Sequence, residues 1–321
     1  MRMVLKSRVV GLVVVAIALL ASACSSVGES ENVGGVSVVA TTTMLGDIAR
    51  NIVGDDGSVE VLLPIGAGAH DFEPSSSQVA AIYAADLVLA NGLHLEAGLS
   101  DVLQTARADG INVIEVGERL NPVTLGDREP CKEEGDDGAG GGRDHGACDP
   151  HVWFDLDRDI ETARIVADSL TTVDSSVDWG ARADSYSKEL FEADRRIIDI
   201  LDVIPPADRL IVTNHDSLGY FAERYGFIVV GTVIPGGSTL SEPSSADLAE
   251  LVRVINETGV SAIFAETTES TALAEAIANE VDHDVKVVPL YTGSLGEPGS
   301  GADTLIGMLE TNARLIADGL S

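Results

Sequence analysis

The chain has 321 residues, of which 45% are hydrophobic, and its formal net charge at pH 7 is −32. Such a charge argues against a nucleic-acid partner, whose phosphates it would repel, and it suits a solvated surface that attracts cations weakly. The length is enough to bury a sizeable core and predicts two domains of ordinary size.

The N-terminus predicts export. Three basic residues precede the apolar run 9–21, which is too short to span a bilayer, so residues 1–23 are predicted to be a signal peptide. Small residues lead directly to Cys24, which predicts cleavage before a cysteine that becomes lipid-modified, an ordinary secretory signal being the alternative. Residues 24–35 are then a lipidated tether, and the predicted location is the outer face of the cell membrane.

From Val36 onward, short apolar runs alternate with amphipathic stretches, which predicts parallel strands connected by helices. This first block, residues 36–155, is predicted to be an N-terminal α/β lobe. Its predicted strands are 36–43, 59–65, 87–90 and 112–116, and its predicted helices are 44–53, 76–85 and 95–108.

Residues 121–149 interrupt the alternation with an acidic loop that contains a glycine-rich run and His145. The loop is long for a structureless connection, and we interpret it as a solvated insertion, with weak gathering of cations as the alternative. Cys131 and Cys148 form an even pair in an oxidising compartment, which predicts a disulfide; a thiolate metal site is the alternative.

Residues 156–206 are predicted to be helical. The second helix, about 177–203, would be ~40 Å long, enough to link two lobes, and Pro205-Pro206 end it. Residues 207–321 repeat the alternation and predict a C-terminal α/β lobe. Its strands are 210–214, 228–234, 262–266 and 285–290, and its helices are 218–225, 246–257, 272–281 and 304–320. The predicted fold class is α/β, with two parallel sheets flanked by helices and joined by one long rigid helix.

Three of the six histidines stand where ligand sites form in open parallel sheets, beyond the carboxyl ends of strands. His70 follows one predicted strand through a glycine-containing turn, His215 follows another directly, and His151 lies in a short aromatic motif. Imidazole binds zinc and other late first-row metals, so these residues predict a metal site between the lobes. A capping or core role is the alternative for each histidine, and the sequence contains no HExxH or CxxC signature.

Five motifs resemble the solute-binding proteins of zinc and manganese ABC transporters, and the resemblance runs from about Val36 to the C-terminus. The motifs are GAHDFEP (68–74), DPHVWFD (149–155), TNHDSLGYFAERYG (213–226), IFAETT (263–268) and LYTGSLG (290–296). The resemblance implies two lobes with a rigid linking helix, a metal held between them by His70, His151 and His215, and delivery of that metal to a permease. A histidine at 215 is typical of the zinc-leaning members, so Zn²⁺ is the predicted ion and Mn²⁺ the alternative.

The fourth ligand is where this chain departs from the family. Members usually place Asp or Glu in the segment that corresponds to 292–294, and the matching residue here is Gly293. Glu266, at the end of a predicted strand, is the candidate for the fourth position. Water in that position is the alternative, as is a role for Glu266 in orienting a ligand histidine.

The sequence therefore predicts a monomeric, non-enzymatic, metal-binding lipoprotein for metal ion transport, which serves an ABC transporter. One alternative is a metal-dependent hydrolase, in which Glu266 would be the base beside a metal-bound water. Another is a cell-adhesion protein or metal buffer on the same scaffold. Because protonated imidazole cannot bind a metal, affinity is predicted to fall as the pH drops through about 6.5.

Overall fold

The computed structural model describes residues 35–131 and 148–321. The predictions for the signal peptide, the tether, Cys24 and His145 lie outside the described residues. Within this part of the chain, eight strands form two four-stranded parallel sheets, each flanked by helices. The α/β class predicted from the sequence is therefore confirmed.

The N-terminal sheet has the strand order β2-β1-β3-β4. Because parallel neighbours need a crossover connection, helices separate its successive strands in the chain. The elements are β1 (Val36–Ala40), α1 (Thr43–Val53), β2 (Gly57–Val61), α2 (Ser76–Ala84), β3 (Leu87–Ala90), α3 (Ser100–Ala108) and β4 (Val113–Glu115). The two central strands, β1 and β3, are almost wholly buried, which accounts for their largely apolar sequence.

Two long helices follow, α4 (Leu156–Val173) and α5 (Trp179–Leu201). They pack against each other, and α5 also packs against the last helix of the chain. With 23 residues, α5 is about 34 Å long, somewhat shorter than predicted.

The C-terminal sheet repeats the arrangement with the order β6-β5-β7-β8. Its elements are β5 (Leu210–Thr213), α6 (Gly219–Tyr225), β6 (Ile228–Thr232), α7 (Ser245–Thr258), β7 (Ala262–Glu266), α8 (Ala272–Glu280), β8 (Lys286–Leu290) and α9 (Leu305–Gly319). We call the two sheets with their helices the N-terminal and C-terminal lobes, and we propose 36–155 and 207–321 as their limits, with the helical segment 156–206 between them.

One apolar core runs through both lobes. It contains Ile48 of α1, Trp179 and Leu190 of α5, and Phe264 of β7, all buried. Two smaller clusters lie on the outer faces of the sheets. The long helices α4 and α5 therefore share one core with both sheets.

Cys131 and Cys148 form the disulfide that the sequence predicted, with their Cα atoms 5.9 Å apart. A short antiparallel bridge from Thr124 to Cys148 ties the two ends of the acidic loop together, and a second bridge, from Val123 to Pro130, closes a turn within its first part. Among the described helices, none combines the length and the apolar character that crossing a membrane requires.

Candidate metal centre

Each of the three predicted histidines lies on a separate segment of the chain. His70 follows β2, whose chain stays attached to the sheet through the bond from the Leu63 N–H to the carbonyl of Thr41 (3.1 Å). His215 lies two residues beyond the end of β5, and His151 begins a short buried turn that contains Trp153. The exposed fractions of the histidines are 9%, 2% and 2% for His70, His151 and His215.

The three imidazole rings converge. Each offers one nitrogen, and these nitrogens all lie within 4.8 Å of one another. The Nε2 atoms of His151 and His215 are 3.0 Å apart. Nitrogens bound to one tetrahedral zinc ion would lie about 3.3 Å apart, given Zn–N bonds of about 2.0–2.1 Å. The arrangement therefore suits a single late first-row ion held by imidazole.

Buried carboxylates orient two of the rings. Asp149 Oδ1 lies 2.8 Å from His151 Nδ1, and Glu266 Oε1 accepts a hydrogen bond from His215 Nδ1. An ionised carboxylate can only accept, so the facing Nδ1 must carry the proton, which leaves the Nε2 lone pair free for a metal. Both carboxyls are buried, with exposed fractions of 0% for Asp149 and 3% for Glu266.

The same contacts set the charge of the carboxylates. Burial opposes ionisation of Asp149, but the hydrogen bonds from His151 and the positive charge of Arg128 outweigh it and hold the pKa of this carboxyl below its ordinary value. Burial likewise opposes ionisation of Glu266, and the interaction with His215 outweighs it and lowers the pKa. Both groups are therefore anionic near neutral pH and can balance part of the charge of a divalent cation.

Burial governs the protonation of His70. Burial, together with repulsion from His151 and His215, lowers its pKa from 6.5 to about 3. The ring is therefore neutral throughout the physiological range and can bind a metal without first losing a proton.

The remaining lining of the pocket joins the two lobes. The lining includes Leu95, Trp153, Glu269 and Thr292 beside the histidines. The Trp153 indole N–H donates to the carbonyl of Thr292 (3.1 Å). The Trp153 ring lies 5.4 Å from that of His151, centroid to centroid, so it supports the histidine from one side.

The structure brings together most of the residues that the sequence singled out. His70, His151, His215 and Glu266 all line the pocket, and so does Gly293. Sequence reasoning missed Asp149, although its position two residues before His151 was an available signal. Of the remaining histidines, His283 bonds to the carbonyl of Val260 (3.0 Å), away from this pocket.

Residues 38–319 match the family described as "Zinc-uptake complex component A periplasmic", ZnuA. The chain is 30% identical to "Manganese-binding lipoprotein MntA" of Halalkalibacterium halodurans over 313 residues, 96% of this chain and 97% of that protein. Among solved structures, it resembles the "periplasmic zinc binding protein TroA" of Treponema pallidum with a TM-score of 0.79 and 29% identity, covering 90% of this chain and all of that one.

A mutant structure of the "laminin-binding adhesin (Lmb)" of Streptococcus agalactiae has a TM-score of 0.73 and 27% identity, with 89% of this chain and all of that one covered. These likenesses extend over the whole described fold, and one family accounts for them. The chain belongs to the ZnuA family of metal-binding proteins.

Proposed function

We propose that this protein captures a divalent transition metal outside the cytoplasm and delivers it to an ABC permease, with His70, His151 and His215 as ligands. The observation that carries the proposal is the convergence of three buried imidazole nitrogens, brought from three separate segments to within 4.8 Å of one another. The carboxylates behind His151 and His215 support it, because they leave the metal-binding nitrogens unprotonated.

Zinc is the proposed cargo, and manganese is the alternative. Relatives of this chain carry names for both metals. Three nitrogen ligands favour zinc, whereas manganese prefers oxygen. Glu266 remains our proposed fourth protein ligand. Since its Oε1 is bound to His215, it would have to coordinate through the other oxygen.

The protein would act at the membrane surface as a monomer. We propose that Cys24 carries the lipid and that the permease in the same membrane is the partner. The relatives named as lipoproteins support this location. The mechanism proposed is capture between the lobes, followed by release when small movements of the lobes separate the histidines. Ties such as the Trp153–Thr292 hydrogen bond would limit wide opening.

A substitution pair tests the site. His151→Ala removes a proposed ligand and is expected to weaken zinc binding at least a hundredfold, as measured by competition with a chelator of known affinity. His283→Ala is the matched control, because His283 lies outside the pocket, and it should bind like the wild type. Unchanged affinity in His151→Ala would remove this residue from the site.

Two other functions have separate tests. A hydrolase needs a general base beside a metal-bound water, whereas relatives of this chain are named as substrate-binding lipoproteins of ABC transporters, so we infer that the protein is not an enzyme. Turnover of ester or phosphoester substrates by the zinc-loaded protein would overturn this inference.

The likeness to the protein named as a laminin-binding adhesin favours a test of adhesion as well. A deletion strain with normal metal-limited growth and lost attachment would support adhesion over transport.

A further inference from the structure

A chain of contacts extends from His151 away from the proposed site. Asp149 is fully buried, and its two carboxylate oxygens have different partners. Oδ1 accepts from the backbone N–H of His151 (3.0 Å) and pairs with its Nδ1 (2.8 Å). Oδ2 accepts from Nη1 of Arg128 (2.5 Å). Arg128 therefore holds the carboxylate from the side opposite the histidine.

Arg128 is itself fixed by the base of the acidic loop. Its backbone is left-handed, with φ 55°, and this turn directs the chain back along itself between Val123 and Pro130. Its guanidinium lies over the ring of Tyr220, 4.3 Å from the centroid, and the Tyr220 hydroxyl donates to the Asp149 carbonyl (3.2 Å). The side chain is only 21% exposed.

We propose that Arg128 is a positioning residue of the metal centre, which acts through Asp149 to fix the orientation and tautomer of His151. The inference rests on the proposed role of His151 as a ligand. A carboxylate held at both oxygens cannot rotate, so Oδ1 stays aligned with Nδ1 and the ring keeps Nε2 directed at the ion. The base of the loop at 121–149 thus contributes to metal binding through its contacts with Asp149.

The chain offers a matched control in Arg158. Its guanidinium lies over the same Tyr220 ring at 4.4 Å, and its side chain is also 21% exposed. It pairs with Asp155 instead of Asp149. Removing Arg158 therefore removes the same charge and the same type of stacking, and leaves the Asp149 carboxylate in place.

Gly219 offers a second way to break the contact. A Cβ added there would stand 2.5 Å from Arg128 Nη1 and 3.0 Å from Asp149 Oδ2, so Gly219→Ala must displace the guanidinium. Gly219 is the first residue of α6, where alanine favours the helix. This variant therefore disturbs the contact without deleting any charged group.

The experiment measures zinc affinity by chelator competition and the visible spectrum of the Co²⁺-loaded protein. Arg128→Ala and Gly219→Ala are expected to weaken zinc binding about tenfold, the low end of the range for partners of ligand histidines, and to shift the Co²⁺ bands. Arg158→Ala is expected to stay within about twofold of the wild type with an unchanged spectrum. In an Asp149→Asn background, Arg128→Ala should add little further loss, because the effect passes through Asp149.

Wild-type affinity and spectrum in both Arg128→Ala and Gly219→Ala would overturn the inference. So would equal losses in the two arginine variants, or a full tenfold loss from Arg128→Ala in the Asp149→Asn background. Failure of the wild-type protein to bind zinc or manganese would instead reject the proposed function, and this inference with it. Thermal unfolding of each variant separates weakened metal binding from loss of the fold.

Discussion

The three proposed ligands differ in what stands behind each ring. Asp149 and Glu266 support His151 and His215, and they fix which nitrogen of each ring is free. His70 is kept neutral by burial, which lowers its pKa to about 3. The metal-free site is thus set for cation binding by two orienting carboxylates and one desolvated imidazole.

The depressed pKa of His70 predicts a pH dependence of stability in the metal-free protein. Below pH 6.5 the unfolded chain takes up a proton on His70, and the folded chain does so only near pH 3. The unfolded state therefore binds more protons in this window, and stability is lost as the pH falls through it. From pH 6.5 to 5, we expect His70 to lower the free energy of unfolding by about 2 kcal/mol.

Denaturant unfolding at pH 6.5 and pH 5, with His70→Gln as the comparison, measures this decrease in the free energy of unfolding. The variant should show a smaller loss than the wild type, and an equal loss in both proteins would contradict the prediction.

The low pKa of His70 also changes the expectation that metal affinity falls as the pH drops through about 6.5. Any weakening of metal binding near pH 6.5 would have to come from groups other than His70, because burial keeps this ring unprotonated there.

An acidic residue at position 293 is expected to change the metal preference of the site. A Cβ at this position would meet only Thr268, at 3.5 Å, which is an ordinary contact, so an aspartate side chain can be accommodated beside the pocket. Gly293→Asp is expected to add an oxygen ligand and raise manganese affinity about tenfold relative to zinc. Competition titrations with the two metals measure the ratio, and Gly293→Ala controls for the added bulk. A ratio that is the same in the two variants would exclude the carboxylate as a ligand.

At the scale of elements, the turn after β3 holds the segment that leads to His151. Glu96 accepts hydrogen bonds from the backbone N–H groups of Asn91 (2.8 Å) and Gly92 (3.1 Å) and from the hydroxyl of Thr41. The side-chain amide of Asn91 in turn donates to the carbonyl of Pro150 (3.0 Å). This buried carboxylate therefore connects the N-terminal sheet with the residue before the proposed ligand.

Replacing Glu96 by glutamine should be costly, although the shape is kept. The buried carboxylate accepts three hydrogen bonds. In glutamine one of the two oxygens is replaced by an NH₂ group, which cannot accept and would face at least one of these N–H or O–H groups. We expect Glu96→Gln to lower the free energy of unfolding by about 1–3 kcal/mol. Chemical denaturation measures the loss, with the exposed Glu280→Gln as control; similar stabilities of the two variants would count against this reading.

The region around this turn contains one element that the sequence predicts correctly and one whose start it does not. The strands 87–90 and 262–266 were predicted with their observed bounds, because each is a buried apolar run ended by polar or turn-forming residues. The helix predicted over 95–108 begins only at Ser100. Leu93 and His94 have φ values of 55° and 61°, and the turn that contains them is bonded to Glu96. Glu96 also accepts from the distant Thr41, a contact that no local pattern reveals.

The candidate site divides in the same way. His70 and His215 could be identified from chain position, because each follows a strand of a parallel sheet, where ligand sites form beyond the carboxyl ends. His151 begins a short turn instead of following a strand, and its motif identified it. The partners of the rings could not be identified so readily. The contact of Glu266 with His215 depends on how β5 and β7 pair, and that of Arg128 with Asp149 depends on how the loop folds back.

At the scale of the whole molecule, hydrogen bonds connect the lobes at several places. The Gly66 N–H donates to the Ser294 hydroxyl (2.9 Å), and the Leu295 N–H donates to the Thr43 hydroxyl (2.9 Å). One apolar core also continues through α4 and α5 into both sheets. These contacts favour small relative movements of the lobes over a wide hinge, and they indicate that the lobes unfold together.

Substitution of Asp47 tests whether the two lobes unfold together. Its buried carboxylate accepts from the Leu305 N–H at the start of α9 (3.0 Å) and from the Tyr186 hydroxyl of α5 (3.4 Å), so it joins both lobes to the linking helix. Asp47→Ala leaves the buried Leu305 N–H without this acceptor and should lower the free energy of unfolding by about 1–3 kcal/mol. The exposed Asp184→Ala, on α5, is the control and should change it by less than about 0.5 kcal/mol.

Both variants and the wild type should unfold in one transition, with the same midpoint by far-ultraviolet circular dichroism and by tryptophan fluorescence. Trp153 and Trp179 both lie in the core shared by the lobes, so fluorescence reports the loss of that core, whereas circular dichroism reports helices throughout the chain. A cooperative unit gives coincident curves by the two probes. If Asp47→Ala separates them, the carboxylate is required for coupling the lobes; if the wild type already separates them, the shared core does not make the lobes one unit.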